Sequence, residues 1–356
     1  MPFTATPLVG GDAFEMARHL ALEADAELST LSEPTAYLAC LRRHWDAIAG
    51  LGWMATMVAE EAGGAGGDLS DVAALACGAA CGGLPLPIAA ACVVAPVLLG
   101  GAGAHDMLAQ VAGGTARICV ILPDAAQDSG TARLRFGAML EGAVVGVETP
   151  PDPTHLLLAT ADDALLLLSV GTPGITRDLS LRIDGRLAAD WHFAGVVVAP
   201  DDVLARGTGD LVDRARDLGA LVTCIEGVSA MGAIIEQTIA FLSERVQFNA
   251  PLASYQALRH RVAEMYVEYE NLRGLVGHAL REAASADVLP WRDIALAKLR
   301  LGEAGRIVAH ETIQMHGGMG LTEGVAAIRL ARRVMMAEFE FGDRSFQADR
   351  LLASAA

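Results

Sequence analysis

Ile313-Gln314-Met315-His316-Gly317-Gly318-Met319-Gly320-Leu321-Thr322 is the stretch on which the reading of this chain turns. Its adjacent glycines let the main chain lie against a neighbour with no Cβ in the way. A second stretch, Glu244-Arg245-Val246-Gln247-Phe248-Asn249-Ala250-Pro251, comes before it and sets an arginine beside a glutamine and an aromatic ring. Taken singly, an arginine on a helix is a solvated charge and a glycine pair is a turn. The two stretches gain weight from their order and from what surrounds them.

Both stretches lie in a helical part of the chain. From Asp210 onward the apolar positions Leu218, Leu221, Val222, Ile225, Val228 and Met231 keep a 3.6-residue period. The same period returns through Leu252, Tyr255, Leu258, Val262, Met265 and Tyr266, and again through Ala295, Leu299, Ile307 and Val308. Pro251 and Pro290 fall where new helices start.

Upstream, residues 115–205 have another texture. Short apolar runs at 118–122, 156–158, 164–170 and 195–198 are cut by Pro150-Pro151-Asp152-Pro153 and Gly171-Thr172-Pro173-Gly174, which is the pattern of a compact β domain. Residues 12–110 read as helices again. Phe14, Ala17, Leu20 and Leu22 begin one amphipathic pattern, and Tyr37, Leu41, Trp45 and Ile48 carry another. The Gly-rich run 63–67 permits positive φ, and Asp68 or Ser70 is placed to cap the helix that follows.

Composition narrows the function classes. The chain has 356 residues, enough for two or three domains. Hydrophobic residues make up 53% and the mean hydropathy is +0.39, an apolar surplus that points to large subunit interfaces. The longest low-charge stretch, 72–103, is interrupted by Pro85, Pro87 and Pro96 and reads poorly as a membrane span. A net charge of -17 argues against nucleic acid, whose phosphates would be repelled. The six cysteines form no C-x-x-C pair and fit reduced thiols, with Cys77 and Cys81 as small core residues one helical turn apart. The nine histidines form no ligand-spaced cluster, so no metal site is expected. No basic segment followed by an apolar core opens the chain, so no secretory signal is expected and the location expected is cytoplasmic.

The order helical, β, helical resembles that of acyl-CoA dehydrogenases, and four motifs carry the resemblance along nearly the whole chain. They are residues 48–66, from Ile48-Ala49-Gly50-Leu51-Gly52-Trp53 to Glu60-Glu61-Ala62-Gly63-Gly64-Ala65-Gly66; the strand-like 193–204; the Arg245-x-Gln247-Phe248 stretch; and the Gln314-x-His316-Gly317-Gly318-x-Gly320 stretch. The fold implied is α+β and acyl-CoA dehydrogenase-like: an N-terminal helical domain (1–114), a middle β domain (115–205) and a C-terminal four-helix-bundle domain (206–356). The activity implied is desaturation of an acyl-CoA thioester with FAD as cofactor.

By the same resemblance, Arg245, Gln247 and Phe248 contact the ADP part of FAD, Gln256 assists, and Gln314, Gly317 and Gly318 line the same groove. A pyrophosphate suits a guanidinium fork and bare main-chain N–H groups. In this family such groups reach across a dimer interface to a flavin seated mainly in the neighbouring subunit. His316 reads either as a ligand contact or as a hydrogen-bonded residue between helices.

The reaction needs a carboxylate within hydrogen-bond reach of the thioester α-proton. The resemblance allows two positions for it. Counted from Gly318, the commoner one falls on Phe341, with Gly342 next and Arg332 matching an arginine of the same stretch. The other falls on Gly219, between Leu218 and Ala220. Glu338 and Glu340 read as a solvent-facing pair at a charged helix end. The flavin-seating loop of the β domain is also degenerate, at Leu122-Pro123-Asp124-Ala125-Ala126-Gln127-Asp128-Ser129.

The expectation is therefore a subunit with no catalytic residue of its own. It would sit in a heteromeric α₂β₂ dehydrogenase beside a second acyl-CoA dehydrogenase-like subunit that bears the catalytic Glu. The assembly would form a 2,3-enoyl-CoA, with steroid side chains or other bulky acyl groups as substrates and an electron-transfer flavoprotein as acceptor. No nucleic acid and no membrane enter this reading. One rival is a self-sufficient homo-oligomer using Glu340; another is a flavin-free scaffold or acyl-CoA-binding protein.

Overall fold

The computed structural model describes residues 3–354 apart from 124–138 and Asp287. Most of the degenerate loop, from Asp124 to Ser129, thus lies outside the described residues. The fold is α+β. Helices α1 (Asp12–Leu28), α2 (Pro34–Gly50), α3 (Leu69–Gly82), α4 (Ala95–Gly101) and α5 (His105–Ala112) come first. Strands β1 (Ile118–Ile121), β2 (Leu140–Glu148), β3 (His155–Ala159), β4 (Ala164–Ser169), β5 (Ile175–Leu181), β6 (Leu187–Val196) and β7 (Val203–Arg206) follow. Then come α6 (Gly209–Glu244), the short strands β8 (Val246–Gln247) and β9 (Ala250–Pro251), and helices α7 (Gln256–Ser285), α8 (Trp291–His316), α9 (Ala326–Met336) and α10 (Arg344–Ala353).

Packing gathers these elements into two compact units rather than by chain order. One comprises Met1–Ser32, Ala73–Leu84 and Ala220–Ala356; the other comprises Glu33–Val72 and Pro85–Gly219. The first unit is assembled from distant segments because long-range polar contacts join them. Tyr269 donates its hydroxyl to the Thr6 carbonyl at 3.2 Å, and Arg329 pairs with Asp25. In α1 the buried face is Phe14, Ala17, Ala21, Ala24 and Leu28, while Leu22 is 45% exposed. Leu22 therefore does not belong to the inward face expected for it; small alanines make that face and allow close helix approach.

In the second unit, sheet β1-β3-β4-β7 and sheet β2-β6-β5 supply one core that includes Cys119, Leu156, Leu158, Leu166, Leu168, Trp191 and Phe193. β4 is apolar along nearly its whole length because residues of both parities are buried. β6 begins well before the apolar run at 195–198: Trp191 and Phe193 point inward while His192 and Ala194 are exposed. β2 and β5 escape the sequence reading because glycines and charges on a solvated face break up their apolar runs, and the strand-like stretch 193–204 is divided between the end of β6 and, after a 3₁₀ turn at Pro200–Asp202, the start of β7.

Asp68 caps α3, its Oδ1 accepting from the Ser70 N–H at 2.7 Å. Pro290 is the N-cap of α8, as its position suggested. Pro251 leads instead into a short 3₁₀ turn, and α7 starts at Gln256. Among the described residues α6 is the helix long and apolar enough to cross a membrane, yet 94% of its apolar window is buried within the protein. A core helix enclosed on every side needs no amphipathic face.

Candidate functional site

The two diagnostic stretches meet at one end of the first unit. Phe241, in the last turn of α6, stacks on His316 at the end of α8, with ring centroids 4.4 Å apart and planes 21° apart. Arg245 is one turn beyond Phe241 and donates its N–H to the Phe241 carbonyl at 2.9 Å. Gly317 directly follows His316. His316 is 5% exposed, and its Nδ1 lies 2.8 Å from the Thr312 carbonyl, so Nδ1 carries the proton and Nε2 is left as an acceptor. Burial pushes its pKa below the ordinary histidine value. His316 is thus a pin between helices.

Beyond Arg245 the chain reverses in a two-residue hairpin. Phe248 and Asn249 both adopt left-handed backbone, with φ of 52° and 65°, the conformation that a type I′ turn requires. The register Val246↔Pro251 and Gln247↔Ala250 closes it. Tyr255 steadies the turn by donating its hydroxyl to the carbonyls of Gln247 at 3.1 Å and Phe248 at 3.3 Å. Arg245, Gln247 and Phe248 all face solvent, Phe248 at 85% exposure. Among the described residues the Arg245 side chain makes no ion pair or hydrogen bond. Gln256 and Gln314 are also exposed, the former with its Nε2 3.5 Å from His260 Nε2. The structure therefore brings all seven expected residues to the same end of the unit or to the turns leaving it.

The three glycines after His316 differ in what holds them there. Gly317 ends α8 with φ 57°, which favours glycine. At Gly320 a Cβ would collide with the Ile313 carbonyl. Gly318 has neither constraint: its φ is ordinary and a Cβ would meet nothing within 4 Å. The fold leaves that position open on its outer side, as a cradle for a ligand would be. A guanidinium with no partner among the described residues and this bare main chain make a donor set that fits a dinucleotide pyrophosphate, with an exposed ring beside them.

A different arrangement surrounds Phe341. Lys298 of α8 is 1% exposed and donates through Nζ to the carbonyls of Ala337 at 2.6 Å and Glu338 at 2.8 Å. Burial lowers its pKa, while the nearby charges of Glu340, Glu338 and Asp343 support its ammonium form. Glu338 is 7% exposed and bridges Arg306 at 2.9 Å and Arg344 at 2.6 Å. It is not the solvent-facing carboxylate that its charged neighbourhood suggested; the loop folds back on α8 and encloses it. Gly302 makes room for that return, since a Cβ there would sit 2.8 Å from Arg344 Cδ and 3.0 Å from Glu338 Cδ. Asp343 caps α10 through the Phe346 N–H at 2.9 Å, and Gln347 Nε2 donates to the Phe341 carbonyl at 3.4 Å.

Lys298 was missed in the sequence, although a signal existed. It stands in the stripe Ile294, Ala297, Leu301, Gly305 and Val308, all buried, where a lysine must either snorkel or find carbonyls. At the other register for a base, Gly219 lies on α6 between buried Leu218 and Ala220.

Residues 210–355 match the family model "Acyl-CoA dehydrogenase, C-terminal domain". Over 284 residues, 77% of the chain, the sequence is 30% identical to acyl-CoA dehydrogenase FadE34 of Mycobacterium tuberculosis, covering 37% of that protein. Four curated relatives are matched over 49%, 37%, 57% and 31% of their own lengths, so the chain spans about half or less of most of them. Among solved structures, the ChsE4-ChsE5 complex from Mycobacterium tuberculosis superposes with a TM-score of 0.82 at 20% identity, covering 98% of this chain and 99% of that one. The Tcur3481-Tcur3483 steroid ACAD variant gives 0.78 at 21% identity, covering 96% and 99%. At such identities these likenesses speak for the fold.

Proposed function

The chain belongs to the acyl-CoA dehydrogenase family, and from that premise we propose that it is the base-lacking subunit of a heteromeric, FAD-dependent acyl-CoA dehydrogenase forming a 2,3-enoyl-CoA. One observation carries the proposal. At the position where the family's general base falls, this chain has Phe341, and both neighbouring carboxylates are engaged elsewhere. Glu338 is buried between Arg306 and Arg344, and the charge of Glu340 acts on the buried Lys298. Gly219 offers no acid at the second position.

Bound FAD supplies the acceptor for the β-hydride. This chain contributes binding. Arg245 meets the pyrophosphate charge with a fork of donors, Gly317 and Gly318 offer main chain, and Gln247, Phe248, Gln256 and Gln314 complete the contact with the nucleotide. Their exposure supports a cofactor seated mainly in a partner subunit that bears the glutamate. The names of the two solved complexes, one of them a steroid ACAD, support a heteromer acting on a bulky acyl-CoA. An electron-transfer flavoprotein is the electron acceptor in this reading.

Purified alone, the chain should be nearly colourless and inactive. Co-expressed with a glutamate-bearing dehydrogenase subunit from its genomic neighbourhood, it should yield a yellow complex that desaturates acyl-CoA. A yellow, active homo-oligomer would refute the proposal and favour the rival that uses Glu340, in which Glu340→Gln then abolishes turnover. A colourless but stable complex would point to the flavin-free scaffold, in which Arg245→Ala changes nothing.

A further inference from the structure

In the second unit, two buried hydrogen-bond donors lie beside each other without an acceptor among the described residues. Trp191 of β6 is 0% exposed, and its Nε1 meets no acceptor at hydrogen-bonding geometry. Directly across the ladder is Arg177 of β5, with its guanidinium carbon 5.6 Å from the Trp191 ring centroid. Arg177 Nη1 is buried and unbonded as well. A ring face attracts the charge, yet it leaves the Nη1 and Nε1 hydrogens unsatisfied. The acids of these strands are engaged elsewhere. Asp178 is on the outer face, where its Oδ2 lies 3.5 Å from His192 Nε2, and Asp190 accepts from the Gly146 N–H at 2.7 Å. Glu148 accepts from Arg186 at 3.0 Å. The Cys119 thiol beside Trp191 is pushed up to about 12 by burial, so it stays neutral and is a weak acceptor. Trp45 and Trp53 also bury an unbonded Nε1, but among the described residues no guanidinium lies over either ring.

The row that carries Arg177 runs outward from the core. Side chains alternate along β5, so Ile175, Arg177, Leu179 and Leu181 share the inner face. Ile175 belongs to the core, Arg177 is half-buried, and Leu179 and Leu181 are 41% and 43% exposed. β5 is an edge strand of its sheet, so the apolar row opens to solvent at these leucines. From Arg177 to Leu181 the strand extends roughly 13 Å, the length of a medium acyl chain. We propose that Arg177 and Trp191 form a binding site for the carboxylate of a medium-chain amphiphile, such as a free fatty acid, whose apolar chain lies along Leu179 and Leu181. A carboxylate accepts from the guanidinium fork and the indole N–H together, so one charged group satisfies both donors. An inward charge on an edge strand also deters pairing with another sheet. That role needs the cation alone and leaves the indole N–H unexplained. The site uses none of the residues assigned to the flavin and does not depend on which subunit supplies the base.

The test is calorimetric titration of the co-expressed complex with decanoate, decanol and acetate, for wild type, Arg177→Gln, Arg177→Lys and Trp191→Phe. Decanoate held elsewhere in the assembly is common to all four and cancels in the comparison. Wild type should bind decanoate about tenfold or more tighter than decanol or acetate, the scale of a hydrogen bond to a charged group. Arg177→Gln should erase the preference over decanol and leave Tm nearly unchanged. Arg177→Lys, which keeps the charge but not the fork, should fall between the two. Trp191→Phe should weaken decanoate by a smaller factor than Arg177→Gln. Equal decanoate binding by wild type and Arg177→Gln would overturn the proposal. Equal affinities for decanoate and decanol would overturn it as an apolar patch only, and equal affinities for decanoate and acetate as an adventitious ion only. Self-association of Arg177→Gln with decanoate binding unchanged would assign the residue to edge protection. Flavin and turnover in the wild-type chain alone would count against the heteromeric reading instead, and the same titrations would then be run on that homo-oligomer.

Discussion

The hairpin after α6 and the segment before α10 each hold a phenylalanine in left-handed backbone, and they treat their polar groups in opposite ways. In the hairpin, Arg245 reaches no partner among the described residues and Phe248 is 85% exposed. In the other segment, Lys298, Arg306, Arg344, Asp343 and Gln347 all bond to the loop or within it. A fold satisfies the polar groups it buries, so the clamped segment reports on stability. An exposed cation with no partner among the described residues adds nothing to the fold, and the proposed function assigns it a ligand. Internal hydrogen bonding thus separates the residues this fold needs from those it offers, where residue type alone does not: both segments combine arginine, glutamate and phenylalanine.

Substitutions can sharpen or break that contrast. The largest effect is expected for Lys298→Ala, which empties a buried site and strands two carbonyls; urea unfolding should show a loss of about 3 kcal/mol. Gly320→Ala should follow at about 2 kcal/mol, because its Cβ meets the Ile313 carbonyl. Gly318→Ala should change stability by under about 0.5 kcal/mol yet lower the flavin content of the assembled complex. Glu338→Ala should lose about 1.5 kcal/mol, less than a fully buried pair, because Arg306 and Arg344 are 45% and 39% exposed. Arg245→Ala, by contrast, should leave unfolding unchanged while flavin is lost. An Arg245 variant as unstable as the Glu338 variant would break the comparison.

The smallest effect concerns His316. Its pKa is lowered by burial, so the native state takes up its proton less readily than the unfolded chain does. The stability this adds is complete above the unfolded value of about 6.5 and is lost as pH falls through the lowered native value. Wild type should therefore weaken slightly more between pH 7.5 and 5.5 than His316→Gln, measured as the difference in urea midpoints. Parallel curves would remove His316 from the account.

Much of this molecule was legible in its sequence. The succession of textures gave α2 its period and β3 and β4 their continuous apolar runs, and Asp68 and Pro290 cap where their chemistry predicts; in α8 Ala295 and Val308 face inward as expected, whereas Ile307 is 37% exposed. The motif residues, too, could be named before any geometry, because residue type alone marks a guanidinium and a stretch of bare main chain as the groups proposed to hold a nucleotide. Other features were hidden for physical reasons. β2 and β5 have one solvated face and dilute their apolar signal with charge. Glu338 looked exposed because burial of a carboxylate depends on which arginines fold over it, and Arg306 and Arg344 lie far from one another in sequence.

By itself the amino-acid order determined the fold class, the family resemblance and the lack of an acid at Phe341 and Gly219, since these follow from local periodicity and residue identity. Only the tertiary structure decided that the first unit gathers three separated stretches of chain, that His316 pins α8 to α6, and that Lys298 and Glu338 belong to a buried clamp while Arg245 does not. Burial and pairing are properties of contacts between distant residues, and no single position carries them.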